Sequence, residues 1–141
     1  MTPTIRDARR DDAPQIVELI ADLGHRMTIE AVGDRVEALD RSDCPQMVAA
    51  QGSRLVGLCG LHIMSAIHRP QPVGRITILE VARDFRGQGI GRALVDEAER
   101  RLRDAGCGLI EVTSNERLVA AHGFYLRLGY DHTSKRFAKR L

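Results

Sequence analysis

Two hydrophobic periods alternate along this chain. Residues 4–8 read as a short first strand. Ile16, Leu19, Ile20 and Leu23 then follow at the spacing of one helix face. Asp11 and Asp12 stand before them as N-cap candidates, Pro14 falls in the first turn, and Gly24 ends the helix. Thr28 is placed to cap a second helix with Ile29, Val32, Val36 and Leu39 on its apolar face. Met47 to Ala50 form an apolar run that reads as a strand. Gln51-Gly52-Ser53-Arg54 is a hairpin turn, and residues 55–63 pair back. Pro70 and Pro72 make residues 66–74 a loop. Residues 75–81 are apolar on both faces, as expected of a central strand.

The second half returns to the helical period. Ile90, Leu94, Ala98 and Leu102 form one stripe, and Gly106 and Gly108 around Cys107 stop that helix. Residues 109–113 read as a strand, and residues 118–128 as a helix ended by Gly129. Residues 130–141 are expected to hold a final strand with Phe137 as its inward anchor. The order β-α-α-β-β-β-α-β-α-β predicts an α+β fold, with one domain over residues 1–141 built around a mixed sheet.

Composition excludes more than it identifies. A chain of 141 residues, 43% hydrophobic and 28% charged, suits one soluble core. A net charge of +2 offers no bulk attraction to nucleic acid or membrane. Two Tyr, three Phe and no Trp also argue against a nucleic-acid surface built on the arginines of residues 100–103. That arginine cluster reads as a solvated helix face. No apolar run approaches the ~20 residues of a membrane span. Met1 to Asp7 carry no apolar signal core, which predicts a cytoplasmic protein. Cys44, Cys59 and Cys107 are odd in number and form no C-x-x-C pair. They predict reduced thiols and no metal site.

The chemistry concentrates where the central strand meets the long helix. Gly87, Gly89 and Gly91 alternate at the helix start. Such a turn presents backbone N–H groups at a positive helix end, a cradle for phosphate or pyrophosphate. No G-K-[ST] follows, so the loop is not a Walker A sequence. Its G-x-G-x-G spacing, past mid-chain, is not the dinucleotide fingerprint either. Glycine-rich turns also arise for packing alone, and the loop by itself leaves that alternative open.

A second motif narrows the choice. Arg86-Gly87-Gln88-Gly89-Ile90-Gly91 resembles the R/Q-x-x-G-x-G/A signature of the GNAT superfamily of acyl-CoA-dependent N-acyltransferases. Ala121-His122-Gly123-Phe124-Tyr125-Leu126-Arg127-Leu128-Gly129-Tyr130 resembles that family's A-H-x-F-Y-x-x-L-G-[FY] signature. The predicted element order matches the family as well. The resemblance implies a mixed central sheet with helices on both faces, and acetyl-CoA as co-substrate. It assigns the pyrophosphate to the N–H groups of Arg86, Gly87, Gln88, Gly89, Ile90 and Gly91, with Arg92 close by. It assigns the pantetheine arm to the backbone from Leu79 to Val81. Ala121 and Phe124 are expected to line the CoA channel, and Ser114 and Asn115 to reach the pantetheine. Tyr125 matches the tyrosine that protonates the leaving thiolate, a suitable donor for a phenol of pKa near 10. His122 is expected to orient local structure.

The base is less clear. Many relatives carry a glutamate where this chain has Thr77, which cannot act as a base. Glu80 lies three residues on, and strand alternation puts it on the opposite face unless a bulge intervenes. Glu80 is therefore either a catalytic carboxylate or a hydrogen-bonded, helix-facing one. His62, at the end of the third strand, is the histidine placed to carry the released proton, or is merely a strand-end residue. The expected acceptor is a primary amine of a small molecule or peptide. Asp22, Glu30, Asp34 and Glu37 hint at a cationic one. The assembly suggested is a homodimer. A CoA-binding module without catalysis remains the alternative.

Overall fold

The computed structural model describes residues 2–42 and 44–141; Met1 of the opening segment lies outside them. The chain divides into two compact units, Met1–Glu111 and Val112–Leu141. In the first, β1 (Thr4–Asp7) leads through a single 3-10 turn, Arg10–Asp12, into α1 (Ala13–Ala21) and α2 (Ile29–Asp40). Then come β2 (Gln46–Gln51), β3 (Arg54–Met64), β4 (Val73–Val81), a second 3-10 turn (Arg83–Phe85), α3 (Ile90–Asp104) and β5 (Leu109–Val112).

The five strands lie side by side in chain order. β1 to β4 pair antiparallel as a meander. β5 follows β4 through the α3 crossover, the connection that parallel neighbours need, so the sheet is mixed.

Each face of the sheet carries its own helices. Ile16, Leu19 and Ile20 of α1 and Val32 and Val36 of α2 bury against Val48, Ala50, Leu55 and Leu58. Met47, Ala49, Gly57 and Cys59 alternate with those residues and turn to the other face, where Leu94, Val95, Ala98 and Leu102 of α3 are buried. Gly57 sets how close α3 comes. A Cβ there would stand 2.9 Å from Leu94 Cδ1 and 3.2 Å from Ile90 Cγ2. The start of α3 is thereby pressed against β3, directly after the glycine loop.

Three expectations need correction. Asp12 precedes α1, but its side chain makes no cap bond to that helix. It accepts two bonds from Arg6, at 2.8 Å each, and one from Arg9 N–H at 2.9 Å. A charged partner on β1 outcompetes the helix N–H groups. Leu23 falls beyond the last turn of α1 and is exposed. The final strand does not form: no helix or strand follows α4 (Val119–Arg127), and Phe137 is 91% exposed. Residues 130–141 are polar apart from Tyr130, Phe137, Ala138 and Leu141, and Lys135, Arg136, Lys139 and Arg140 are exposed, so that segment has little apolar surface to bury as a strand. Thr28 does cap α2, accepting from Ala31 N–H at 3.1 Å.

Candidate active site

The register of β4 slips once. Gly60 of β3 faces Ile78, but Leu61 faces Ile76, so Thr77 is an extra residue, a β-bulge. A Cβ on Gly60 would meet both Thr77 Oγ1 (2.6 Å) and Ile78 Cγ2 (3.1 Å), so both side chains lean to one side. Ile78 packs on the α1/α2 core, and Glu80 faces Leu58 of that core. The bulge therefore places Thr77 and Glu80 on one face, where uninterrupted alternation separates them.

Glu80 is 5% exposed and is tied to the glycine loop. Its Oε1 accepts from Val81 N–H at 3.0 Å and from Arg86 Nη2 at 2.9 Å. Arg86 Nε donates to Val81 O at 3.1 Å. Ala82 N–H bonds back to Val56 O, so the preceding pair, Val81 and Gly57, turns its backbone groups away from β3. Glu80 and Arg86 thus clip onto both outward groups of Val81, within the stretch assigned to the pantetheine arm. Glu80 Oε2 is buried and has no hydrogen-bond partner among the described residues.

After Arg86 the chain turns through Gly87 (φ 76°) and Gly89 (φ 82°), which is the N-cap of α3. Side chains rarely adopt that conformation, so glycine is needed there for the turn. A Cβ at either position would meet nothing within 4 Å, so the loop is an open cradle. The first helical bond is made by Ala93 N–H to Gly89 O. The N–H groups before it, those of Ile90, Gly91 and Arg92, have no acceptor within the helix and are offered to a ligand. Gln88 and Arg92 are exposed beside them.

In the second unit, Phe124 and Tyr125 of α4 are half-buried, with ring centroids 5.2 Å apart, edge to face. Tyr125 also stands 5.8 Å from the ring of Tyr130. Asn115 is engaged locally: its side chain accepts from Arg117 N–H at 3.0 Å, and its carbonyl meets His122 Nε2 at 2.8 Å. His122 so fastens the start of α4. Ser114 and Ala121 are half-buried.

His62 is exposed and faces Arg75 across β3 and β4, several pairs along the ladder from Glu80. The site residues on the first unit therefore fall into two groups. Glu80, Val81 and Arg86 meet at the loop, and His62 stands apart with Arg75. The Arg86–Glu80 pair and the bulge left no local signal in the sequence. Cys59 is fully buried, and burial pushes its thiol up to about 12 against the pull of Arg101, so it is no nucleophile. The arginines of α3 are largely spent on Glu97, Glu99 and Asp104 of their own helix, and Arg101 also reaches Asp7. Arg101 is thus a bridge from α3 to β1 rather than a solvated residue.

Comparison with known proteins agrees with this geometry. The Acetyltransferase (GNAT) family profile matches residues 6–130. An aminoalkylphosphonate N-acetyltransferase of Salmonella typhimurium is 33% identical over 139 residues, 97% of this chain and 90% of that protein. The crystal structure of a transcriptional regulator from Bacillus halodurans superposes with a TM-score of 0.90 at 26% identity, covering 99% of each chain. An aminoglycoside N-acetyltransferase solved with CoA shares the fold, with a TM-score of 0.86 at 17% identity, over 99% of this chain and 94% of that one. A strand–glycine turn–helix cradle in this sheet, matched along nearly the whole chain, makes the protein a member of the GNAT acetyltransferase family.

Proposed function

We propose that this chain moves an acetyl group from acetyl-CoA to a primary amine of a small molecule or peptide, as one catalytic domain over residues 1–141. The observation that carries the reading is the open Gly87–Gly89 turn at the N-terminus of α3, directly after the outward-facing edge of Val81. N–H groups of residues 86–91 serve the pyrophosphate of acetyl-CoA, and the backbone of Leu79 to Val81 takes its arm once Glu80 and Arg86 release the outward groups of Val81. When bound, the thioester supplies the acetyl carbon that the amine attacks directly. Tyr125 gives the departing thiolate its proton. Glu80 and His62 are the groups on the first unit able to take the proton from the amine. Positioning, and strand N–H groups that polarise the carbonyl, supply most of the acceleration.

Short-chain amines come first among acceptors, because the Salmonella relative is named for an aminoalkylphosphonate. A cytoplasmic location and a homodimer belong to the same reading. A solution mass of twice 15.6 kDa tests the dimer.

The decisive experiment follows free thiol release from acetyl-CoA with a panel of amines. Turnover is expected, and Tyr125→Phe should lower kcat more than it weakens acetyl-CoA binding. Stabilisation by acetyl-CoA with no turnover on any amine would make the chain a binding module, a reading kept open by Thr77 at the position of the family carboxylate. No stabilisation by CoA or acetyl-CoA rejects both.

A further inference from the structure

The end of β4 is closed by its own side chains. Val81 N–H donates to Glu80 Oε1 at 3.0 Å, and Val81 O accepts from Arg86 Nε at 3.1 Å. Arg86 Nη2 joins the two holders by reaching the same Oε1 at 2.9 Å. A pantetheine arm laid along this edge as a further strand would need both backbone groups of Val81. The clip therefore stands where such an arm has to go.

Charge decides which occupant wins. Each bond on Val81 has one ionised partner, a carboxylate on N–H and a guanidinium on C=O. Such bonds are roughly twice as strong as neutral ones. The amides of a pantetheine arm are neutral, so the arm alone trades two stronger bonds for two weaker ones. A pyrophosphate tips that trade. It offers Arg86 an anion of higher charge than Glu80, at the glycine turn that begins with the next residue, Gly87. Arg86 is able to follow it, since its side chain is 54% exposed. Glu80 depends on that cation. It is 5% exposed, and its Oε2 is buried with no hydrogen-bond partner among the described residues. A buried carboxylate stripped of its counter-charge is strongly disfavoured, so Glu80 lets go of Val81 when Arg86 leaves.

We propose that Arg86 and Glu80 form a latch on Val81 that makes the site specific for thioesters carrying a pyrophosphate, which opens the latch by drawing Arg86 away. The proposal rests on the acetyl-transfer reading above, which gives the glycine cradle and the Val81 edge to one donor. Arg86 is here a positioning residue, acting on the arm through Val81. The latch makes the two halves of the donor bind as a unit. The nucleotide half admits the arm. A thioester on an arm without pyrophosphate finds the edge closed.

The test measures binding to the full chain by titration calorimetry, with the donor cut in two: ADP for the pyrophosphate and S-acetylpantetheine for the arm. In the wild type, saturating ADP should tighten S-acetylpantetheine roughly 3- to 10-fold, the worth of one hydrogen bond that no longer has to be broken. By linkage, S-acetylpantetheine should tighten ADP by the same factor. Arg86→Gln should bind S-acetylpantetheine alone tighter than the wild type by that factor, and should keep a coupling below about twofold. Arg92→Gln, exposed beside the same loop but outside the clip, should weaken ADP and keep the coupling. A clip of structural value alone moves none of these couplings. Halves that bind independently or compete overturn the proposal, and so does an Arg86→Gln chain that binds S-acetylpantetheine no tighter than the wild type. The wild-type coupling decides the matter if the variant fails to fold. A chain that binds neither CoA nor ADP instead overturns the reading beneath, and the latch with it.

Discussion

Asp12 and Glu80 are buried to the same degree, 5% exposed, and each faces an arginine. Their bonding differs. Asp12 uses both oxygens, taking two bonds from Arg6 and one from Arg9 N–H. Its role is to fasten β1 to the start of α1. Glu80 gathers both of its contacts on Oε1 and leaves Oε2 unpartnered. Its arginine is 54% exposed, against 29% for Arg6, and belongs to the glycine loop. Burial alone therefore does not tell a fully paired carboxylate from one with an open oxygen. The count of satisfied lone pairs does, because a buried oxygen without a partner costs stability that packing has to offset.

The contrast can be broken experimentally. Asp12→Ala strands Arg6 and the Arg9 N–H, and should cost about 3 kcal/mol in urea unfolding. Acetyl-CoA affinity of the folded protein should stay the same. Arg86→Gln leaves Glu80 buried without its cation and should cost about 1–2 kcal/mol. The double variant with Glu80→Gln should recover part of that, which a double-mutant cycle would show as coupling. Glu80→Gln alone should cost less than ~1 kcal/mol, since half of that carboxylate is already unpaired. It should lower kcat/KM roughly tenfold, about 1.4 kcal/mol of barrier. Stability loss in Glu80→Gln equal to that of Asp12→Ala would erase the distinction.

The smallest effect is expected in acid. Burial pushes the Asp12 carboxyl up, but bonds from Arg6 and Arg9 bring it below its ordinary value. Arg100 is the largest influence on Glu97, which sits at about 2 instead of 4.5. Both groups have folded values below their unfolded ones. Their contribution is complete above the unfolded value and is lost as pH falls through the folded one. Glu97→Gln should cost little at neutral pH and make the fall in stability between pH 4.5 and 2 shallower, read by thermal melts.

How far the sequence showed all this depended on the range of the interaction. Thr28, Gly89 and the apolar stripe of α3 act through neighbours within four residues, and the structure keeps them as read. Asp12 was assigned to a local cap, but its partner lies six residues back on another element. The Thr77 bulge depends on which β3 residue faces it, which periodicity within β4 does not carry. The clip of Arg86 on Glu80 has the same character: two charges at a spacing with no helical or strand meaning, joined by a turn. The cradle was legible because glycines at a helix start have a meaning of their own.

Val81 N–H is held by the carboxylate of the residue before it and not by a neighbouring strand. Its exchange with deuterated solvent is therefore governed by the swing of one side chain, while the amides paired between β3 and β4 wait for the sheet to open. One amide in the middle of the fold thus keeps time with the loop, and its protection factor reports directly on the Glu80–Arg86 clip.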